Sequence, residues 1–323
     1  MENNMTKATT DMLQATISAG DQPVLLPINA VERETGVSKE LLRMWERRYH
    51  FPTPMRDAQG DRIYPMEQVN KLRLLRRLIE FGFRPGKIIE MGMPDLEKLL
   101  SSQSRTSSSF PAELQTELLD VLKSRDAHRT REYLSHQLVK MGLQSFILDF
   151  LQHTNFIVGD AWMRGVLEVY EEHLYTEQVQ ALIRQAISNL REAGGTHPHI
   201  MITTPPDEQH TLGMLMVEAM LRLENVDAIS FGGQMPVRDI VQAAQKHKMD
   251  VVALSFSASF PSSRAAEFLE DLRFRLPMSV GIWAGGSSLR ASRRHIEGVE
   301  FLTELPVLQT LVNAWRRQRG ARN

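Results

Sequence analysis

Cysteine is missing altogether from these 323 residues. That excludes disulfides, thiolate metal sites and cysteine nucleophiles. No apolar run approaches the ~18 residues that a membrane-spanning helix needs, so no membrane partner is expected. The N-terminus is polar, so no secretory signal is read there and a cytoplasmic location is expected. No phosphate-binding glycine loop of the usual types is present, and no nucleophile stands with a base beside it. The chain is therefore read as a non-enzyme, with no catalytic residues. Gly232-Gly233 reads as a strand-to-helix turn rather than such a loop. Net charge is close to absent too, at −1, but that balance hides an asymmetry. Between Arg33 and Lys87 stand 13 Lys and Arg against 7 Asp and Glu, which leaves the rest of the chain at −7. A basic module on an acidic body points to a polyanion partner for the module alone.

The length allows two or three domains with real cores. Residues 1–23 are polar and without periodicity, a disordered tail. Residues 24–92 form the basic module. Residues 93–110, with a Ser-rich stretch from Ser101 to Ser109, read as a linker. Residues 111–195 have helical periodicity, with Leu114, Leu118, Leu119 and Leu122, then Leu143, Phe146, Ile147 and Phe150, at helical spacing. They predict a helical domain that closes at Gly194-Gly195. From 197 to 323 short apolar runs alternate with amphipathic stretches. The runs are Ile200–Thr203, Ala228–Phe231, Val251–Phe256, Val280–Ala284 and Val299–Leu302. That alternation predicts an α/β domain with about five parallel strands. The fold class expected is thus multidomain, α and α/β.

Ligands of such sheets bind at the carboxyl ends of the strands. His210 falls there, between the first apolar run and a helical stretch from Leu212 to Leu223. Glu208, two residues before it, can take one ring N–H and fix the tautomer of a metal-bound imidazole. Gly213, three residues after it, lets a bulky group approach the backbone. His210 is therefore a candidate metal ligand.

In the basic module, Ile28–Thr35 reads as a helix, Gly36-Val37 as a turn and Ser38 as the N-cap of a second helix. That helix buries Leu41, Leu42 and Trp45 and shows Lys39, Arg43, Arg47 and Arg48 on its other face. Phe51 to Tyr64 suggests a hairpin wing, Val69–Phe81 a basic amphipathic helix, and Pro85 can start another. The order Gly36-Val37-Ser38, Arg43 to Tyr49, then Gly60 to Tyr64 resembles the winged helix-turn-helix of the MerR family. By that resemblance Arg43, Arg47, Arg48, Tyr49, Arg62 and Tyr64 would contact a double-stranded DNA operator.

After Gly213 come 41 residues, then Ser255 and Ser257, then 27 more, then Gly285-Gly286. With Glu208 and His210 this spacing resembles the Rossmann-like cobalamin-binding domain of methionine synthases, corrinoid carriers and mutases. The resemblance implies that His210 is the lower axial ligand of cobalt. It also implies that Gly213, Ser255, Ser257, Gly285 and Gly286 line a slot for the displaced nucleotide tail. Ser257 stands where that family commonly has an aliphatic residue. In the helical block Trp162, Val169 and the pair Glu172-His173 lie so that Trp162, Val169 and His173 share one side of a continuous helix. With MerR before and the cobalamin domain behind, this resembles the light-sensing CarH/LitR regulators, in which such residues enclose the adenosyl group of adenosylcobalamin. The family resemblance implies that residues 111–195 form a four-helix-bundle cap. It also implies a dark homo-oligomer, dimer or tetramer, that represses by binding DNA and is released on photolysis. Met163 stands where those light sensors have the histidine that becomes the upper cobalt ligand. A regulator of another cobalamin, another tetrapyrrole or a protein partner, and a corrinoid carrier for methyl transfer, are the alternative readings.

Overall fold

A computed structural model describes residues 25–80, 83–104, 110–190, 197–257, 260–289 and 295–320. The tail at 1–23, the serines at 105–109 and Gly194-Gly195 lie outside the described residues. The chain divides into two compact units, residues 1–79 with 84–98, and residues 80–83 with 99–323.

In the first unit β1 (Leu25–Pro27) leads into α1 (Ile28–Thr35). Gly36 ends α1 in the left-handed region, φ 65°, and its N–H returns to the Glu32 carbonyl. Ser38 then caps α2 (Lys39–Tyr49), accepting the Leu41 N–H at 3.2 Å. β2 (Met55–Arg56) and β3 (Arg62–Pro65) form the wing, and β1 pairs with β3 on its other side. α3 (Met66–Glu80) and the single turn α4 (Pro85–Ile88) follow, the latter with Pro at its first position. Leu42, Trp45, Leu72 and Leu75 are buried in this unit.

The 93–110 segment is not all linker: α5 spans Met93–Ser104. Pro94 and Asp95 suit a first helical turn, and Leu96 and Leu100, one turn apart, are both buried. The serine content hid this amphipathic start.

In the second unit, four helical segments form the bundle. They are α6 (Ala112–Leu122), α7 (Ala127–Ser145), α8 (Gln152–Met163) and α9 (Val169–Ser188), with α7 kinked at Gly142 and joined to α8 by a π-helical turn, Phe146–Leu151. The α/β part runs β4 (His199–Thr203), α10 (Leu212–Leu223), β5 (Asp227–Ser230), α11 (Val237–Lys246), β6 (Val251–Ser255), α12 (Ser262–Arg275), β7 (Gly281–Gly285), β8 (Val299–Leu302) and α13 (Val307–Gly320). All five strands are parallel, in the order β5-β4-β6-β7-β8. Alternate residues bury opposite faces: Ile200, Ile202, Val251 and Ala253 pack with α10 and α13, while Met201, Val252, Leu254 and Ile282 pack with α11 and α12. Helix α10 is buried at Met214, Leu215, Met216, Ala219, Met220 and Leu221 because the sheet lies on one side and α9 on another. Bundle and sheet therefore share one continuous core. Among the described residues no helix is long and apolar enough to cross a membrane.

Candidate functional site

The chain turns to opposite sides after β4, so the gap between the carboxyl ends of β4 and β6 is the topological switch point where such sheets bind ligands. The loop after β4 carries Glu208 and His210; the loop after β6 carries Ser257. Glu208 is 1% exposed, and its Oε1 accepts both the His210 backbone N–H at 2.9 Å and His210 Nδ1 at 2.8 Å. Its Oε2 accepts the Ser257 backbone N–H at 2.7 Å, and Ser257 Oγ stands 3.1 Å from His210 Nδ1. Burial pushes the Glu208 carboxyl up, but the hydrogen bonds from His210 and Ser257 outweigh it and hold the group below its ordinary value. An ionised carboxylate on Nδ1 fixes that proton and leaves the ring lone pair on Nε2. The His210 side chain is 62% exposed, so a rigidly oriented imidazole is presented from a buried carboxylate base. This donor geometry fits a cobalt ligand.

The small residues sit beside it. A Cβ on Gly213 would stand 2.8 Å from Ser255 Oγ. Ser255 pairs with Gly285 in register, and at Gly286 a Cβ would meet the Phe256 carbonyl oxygen at 2.0 Å. Ser255, Ser257, Gly285 and Gly286 thus cluster at the strand ends near His210. Sequence reasoning missed Thr203 and Thr204, which close the neighbouring turn. Thr203 Oγ1 donates to the Gly232 carbonyl at 2.7 Å; Thr204 Oγ1 donates to the Glu208 carbonyl at 2.9 Å and accepts the Gln234 N–H at 2.8 Å. Their signal was two hydroxyls ending an apolar strand. Gly233 has no room for a side chain, since a Cβ would lie 2.9 Å from Thr204 Oγ1.

The proposed cap residues lie in the bundle, but not on one helix. Gly165, φ 68°, stops α8 after Met163; its N–H returns to the Trp162 carbonyl and that of Val166 to Ala161. A new start follows, with Glu168 and Glu171 forming a reciprocal cap for α9. Trp162 packs against the bundle core at the end of α8, whereas Val169, Glu172 and His173 occupy the first turns of α9. Glu172 Oε2 bonds His173 Nδ1 at 2.7 Å and its Oε1 accepts the Thr176 hydroxyl at 2.7 Å. Farther along α9, Gln180 Oε1 receives the Thr211 hydroxyl at 3.4 Å, tying this helix to the residue after His210.

In the first unit Arg43, Arg47 and Arg48 are exposed on α2, opposite the buried Leu42 and Trp45. The Arg48 guanidinium lies 5.2 Å from the centre of the half-buried Tyr49 ring. Arg62 reaches Glu46 Oε2 at 2.9 Å, joining wing to α2. Tyr64 corrects an expectation: it is fully buried, paired across the sheet with Leu26, and does not face outward. Among the described residues its buried hydroxyl has no hydrogen-bond partner. Tyr64→Phe is therefore expected to keep operator affinity and to leave stability equal or raised by about 1 kcal/mol. Gel shifts and urea unfolding check this; a loss of affinity beyond ~10-fold, about 1.4 kcal/mol, would return Tyr64 to the DNA face.

Two family models match the chain: MerR HTH family regulatory protein over residues 26–91, and B12 binding domain over residues 198–301. The HTH-type transcriptional repressor CarH of Myxococcus xanthus is 31% identical over 274 residues, covering 82% of this chain and 89% of that protein. The HTH-type transcriptional repressor CarA of the same organism is 27% identical over 310 residues, covering 92% and 99%. Among solved structures, the monomethylamine corrinoid protein of Methanosarcina barkeri aligns with a TM-score of 0.46 at 19% identity, over 60% of this chain and 94% of that one.

Proposed function

Since this chain belongs to the family of MerR-type, B12-binding transcriptional regulators that includes CarH and CarA, we propose that it is an adenosylcobalamin-dependent repressor released by light. The observation that carries the reading is the Glu208–His210–Ser257 unit at the switch point of a chain that also bears a helix-turn-helix. His210 Nε2 would hold the cobalt of a bound corrinoid, with Glu208 locking the ring. Gly213, Ser255, Ser257, Gly285 and Gly286 admit the nucleotide tail. Trp162, Val169, Glu172 and His173 enclose the adenosyl group from the bundle. These four stand on two helices joined by residues 164–168, so a cap around that ligand would be built from two parts. When bound, the cofactor supplies a cobalt–carbon bond that light cleaves.

The closed cap favours a homo-oligomer, dimer or tetramer, whose several α2 helices engage one operator and gain affinity through effective concentration. Arg43, Arg47, Arg48 and Tyr49 face that DNA, and Arg62 braces the wing. Operator affinity should fall steeply with salt. Arg43→Ala and Arg47→Ala should each reduce the slope of log K against log salt by about 1 for every phosphate that is no longer neutralised, with little change in sequence preference. An unchanged slope would move the DNA face off α2.

Met163 favours one second reading. Its side chain is 7% exposed, within the bundle at the place where light-sensing relatives carry a ligating histidine. A regulator that responds to the bound cobalamin without light would need no such ligand. Adenosylcobalamin added in the dark should bind one to one, enlarge the oligomer and tighten the gel shift on the gene's own upstream DNA. Illumination should reverse the last two. No corrinoid retained at micromolar protein refutes both readings; retention with light-indifferent DNA binding selects the second.

A further inference from the structure

The amino-end edge of the parallel sheet, opposite to His210, holds another group of metal-type ligands. His199 opens β4 and stands in register with Asp227, which opens β5; His197 lies two residues before His199, and Asp250 immediately precedes β6. Because β4 lies between β5 and β6, residues as far apart as 53 positions meet there. His197 Nδ1 lies 2.6 Å from Asp250 Oδ2, and His199 Nδ1 lies 2.7 Å from Asp227 Oδ2. The two imidazoles are edge to face, with ring centres 4.1 Å apart. His197, His199 and Asp250 can each present one ligand atom so that all lie within 4.8 Å of one another. The side chains are half-buried rather than spread over a solvated surface.

We propose that His197, His199 and Asp250 bind a divalent transition ion of the zinc class, with Asp227 orienting His199. Two imidazoles and one carboxylate make a nitrogen-rich donor set that suits zinc and leaves a coordination position for water. Magnesium and calcium, which take oxygen ligands, are disfavoured. Asp227 on His199 Nδ1 leaves that ring's Nε2 for the ion, the same carboxylate–imidazole logic as at His210. Ligands at about 2.0–2.1 Å around tetrahedral zinc stand roughly 3.4 Å apart, so the His197–Asp250 pair, now at 2.6 Å, opens on binding to admit the ion. Trp315 of α13 stacks on His197 with ring centres 6.0 Å apart, and Arg316 Nε donates to the His197 carbonyl at 3.2 Å. The ion therefore clamps three strand starts and the last helix, remote from the corrin.

Calorimetric titration of the chelator-treated full chain with zinc chloride tests this. One zinc equivalent is expected, and none of magnesium. His197→Gln and Asp250→Asn should each weaken zinc binding at least about tenfold, and Asp227→Asn roughly 10- to 100-fold. His210→Ala should leave it unchanged. No zinc equivalent, one indifferent to the His197 and Asp250 changes, or one lost with His210 would overturn the site. Should those variants not fold, cobalt(II) added to the chain should quench Trp315 emission and lose that component in Trp315→Phe; identical quenching in both refutes it.

Discussion

His210→Ala is expected to weaken corrinoid binding by more than about 100-fold and to abolish the spectrum of histidine-ligated cobalamin in whatever fraction still binds. The magnitude follows from a comparison inside the same unit. Glu208 touches no metal; it orients the imidazole, and loss of such a partner typically costs roughly 10- to 100-fold in metal affinity. Glu208→Gln should fall in that range, since the amide cannot accept both the His210 and the Ser257 N–H groups on two oxygens. Removing the ligand itself must exceed it. Folding should survive, because the His210 side chain is mostly exposed and Glu208 keeps the backbone N–H groups of His210 and Ser257. A stability change within about 0.5 kcal/mol by urea unfolding would show that the lost binding reports ligation and not collapse. Retention of the wild-type spectrum would remove His210 from the cobalt.

That unit shows how far the sequence reads. Glu208 and His210 are two residues apart, so their hydrogen bond was legible as a motif. The bond from the Ser257 N–H to the second carboxylate oxygen spans 49 positions and exists only because β4 and β6 are neighbours. The five strands were legible within one or two residues, since a sheet buried on both faces writes continuous apolar runs. Elements stabilised across the chain were not. β1 is three residues long with a proline, and it is a strand only by pairing with β3. That same pairing turns Tyr64 inward, where a motif read position by position placed it on DNA. The bundle spacing of Trp162, Val169 and His173 suited one helix, but Gly165 in the left-handed region divides it. That glycine was the available signal, and helical periodicity on both sides outweighed it.

Gly286→Ala should be the most damaging single methyl group in the α/β part. Gly286 follows β7 at φ 117°, a conformation L residues rarely adopt. Its added Cβ would lie 2.0 Å from the Phe256 carbonyl oxygen, 2.8 Å from its carbon and 2.9 Å from its nitrogen. The obstacle is backbone, and that backbone is fixed twice: the Phe256 N–H bonds the Gly285 carbonyl at 2.9 Å, and its fully buried ring packs on Phe260 and Phe268. Strained φ costs about 1–3 kcal/mol, and overpacking about 1–3 more. A loss of roughly 2–6 kcal/mol is a large part of the ~5–15 kcal/mol that holds a typical protein folded. Corrinoid binding should fall with it, because Gly286 borders the slot that Ser255 and Gly285 begin. Gly213→Ala separates the two effects. Among the described residues its Cβ meets only Ser255 Oγ, at 2.8 Å, so Ser255→Ala in the same chain should restore most of its stability. No side-chain deletion can rescue Gly286→Ala in that way. Urea midpoints at unchanged m-value measure all three variants; a Gly286→Ala loss below about 1 kcal/mol would mean that the two strand ends can part, and that the slot is not held by this contact.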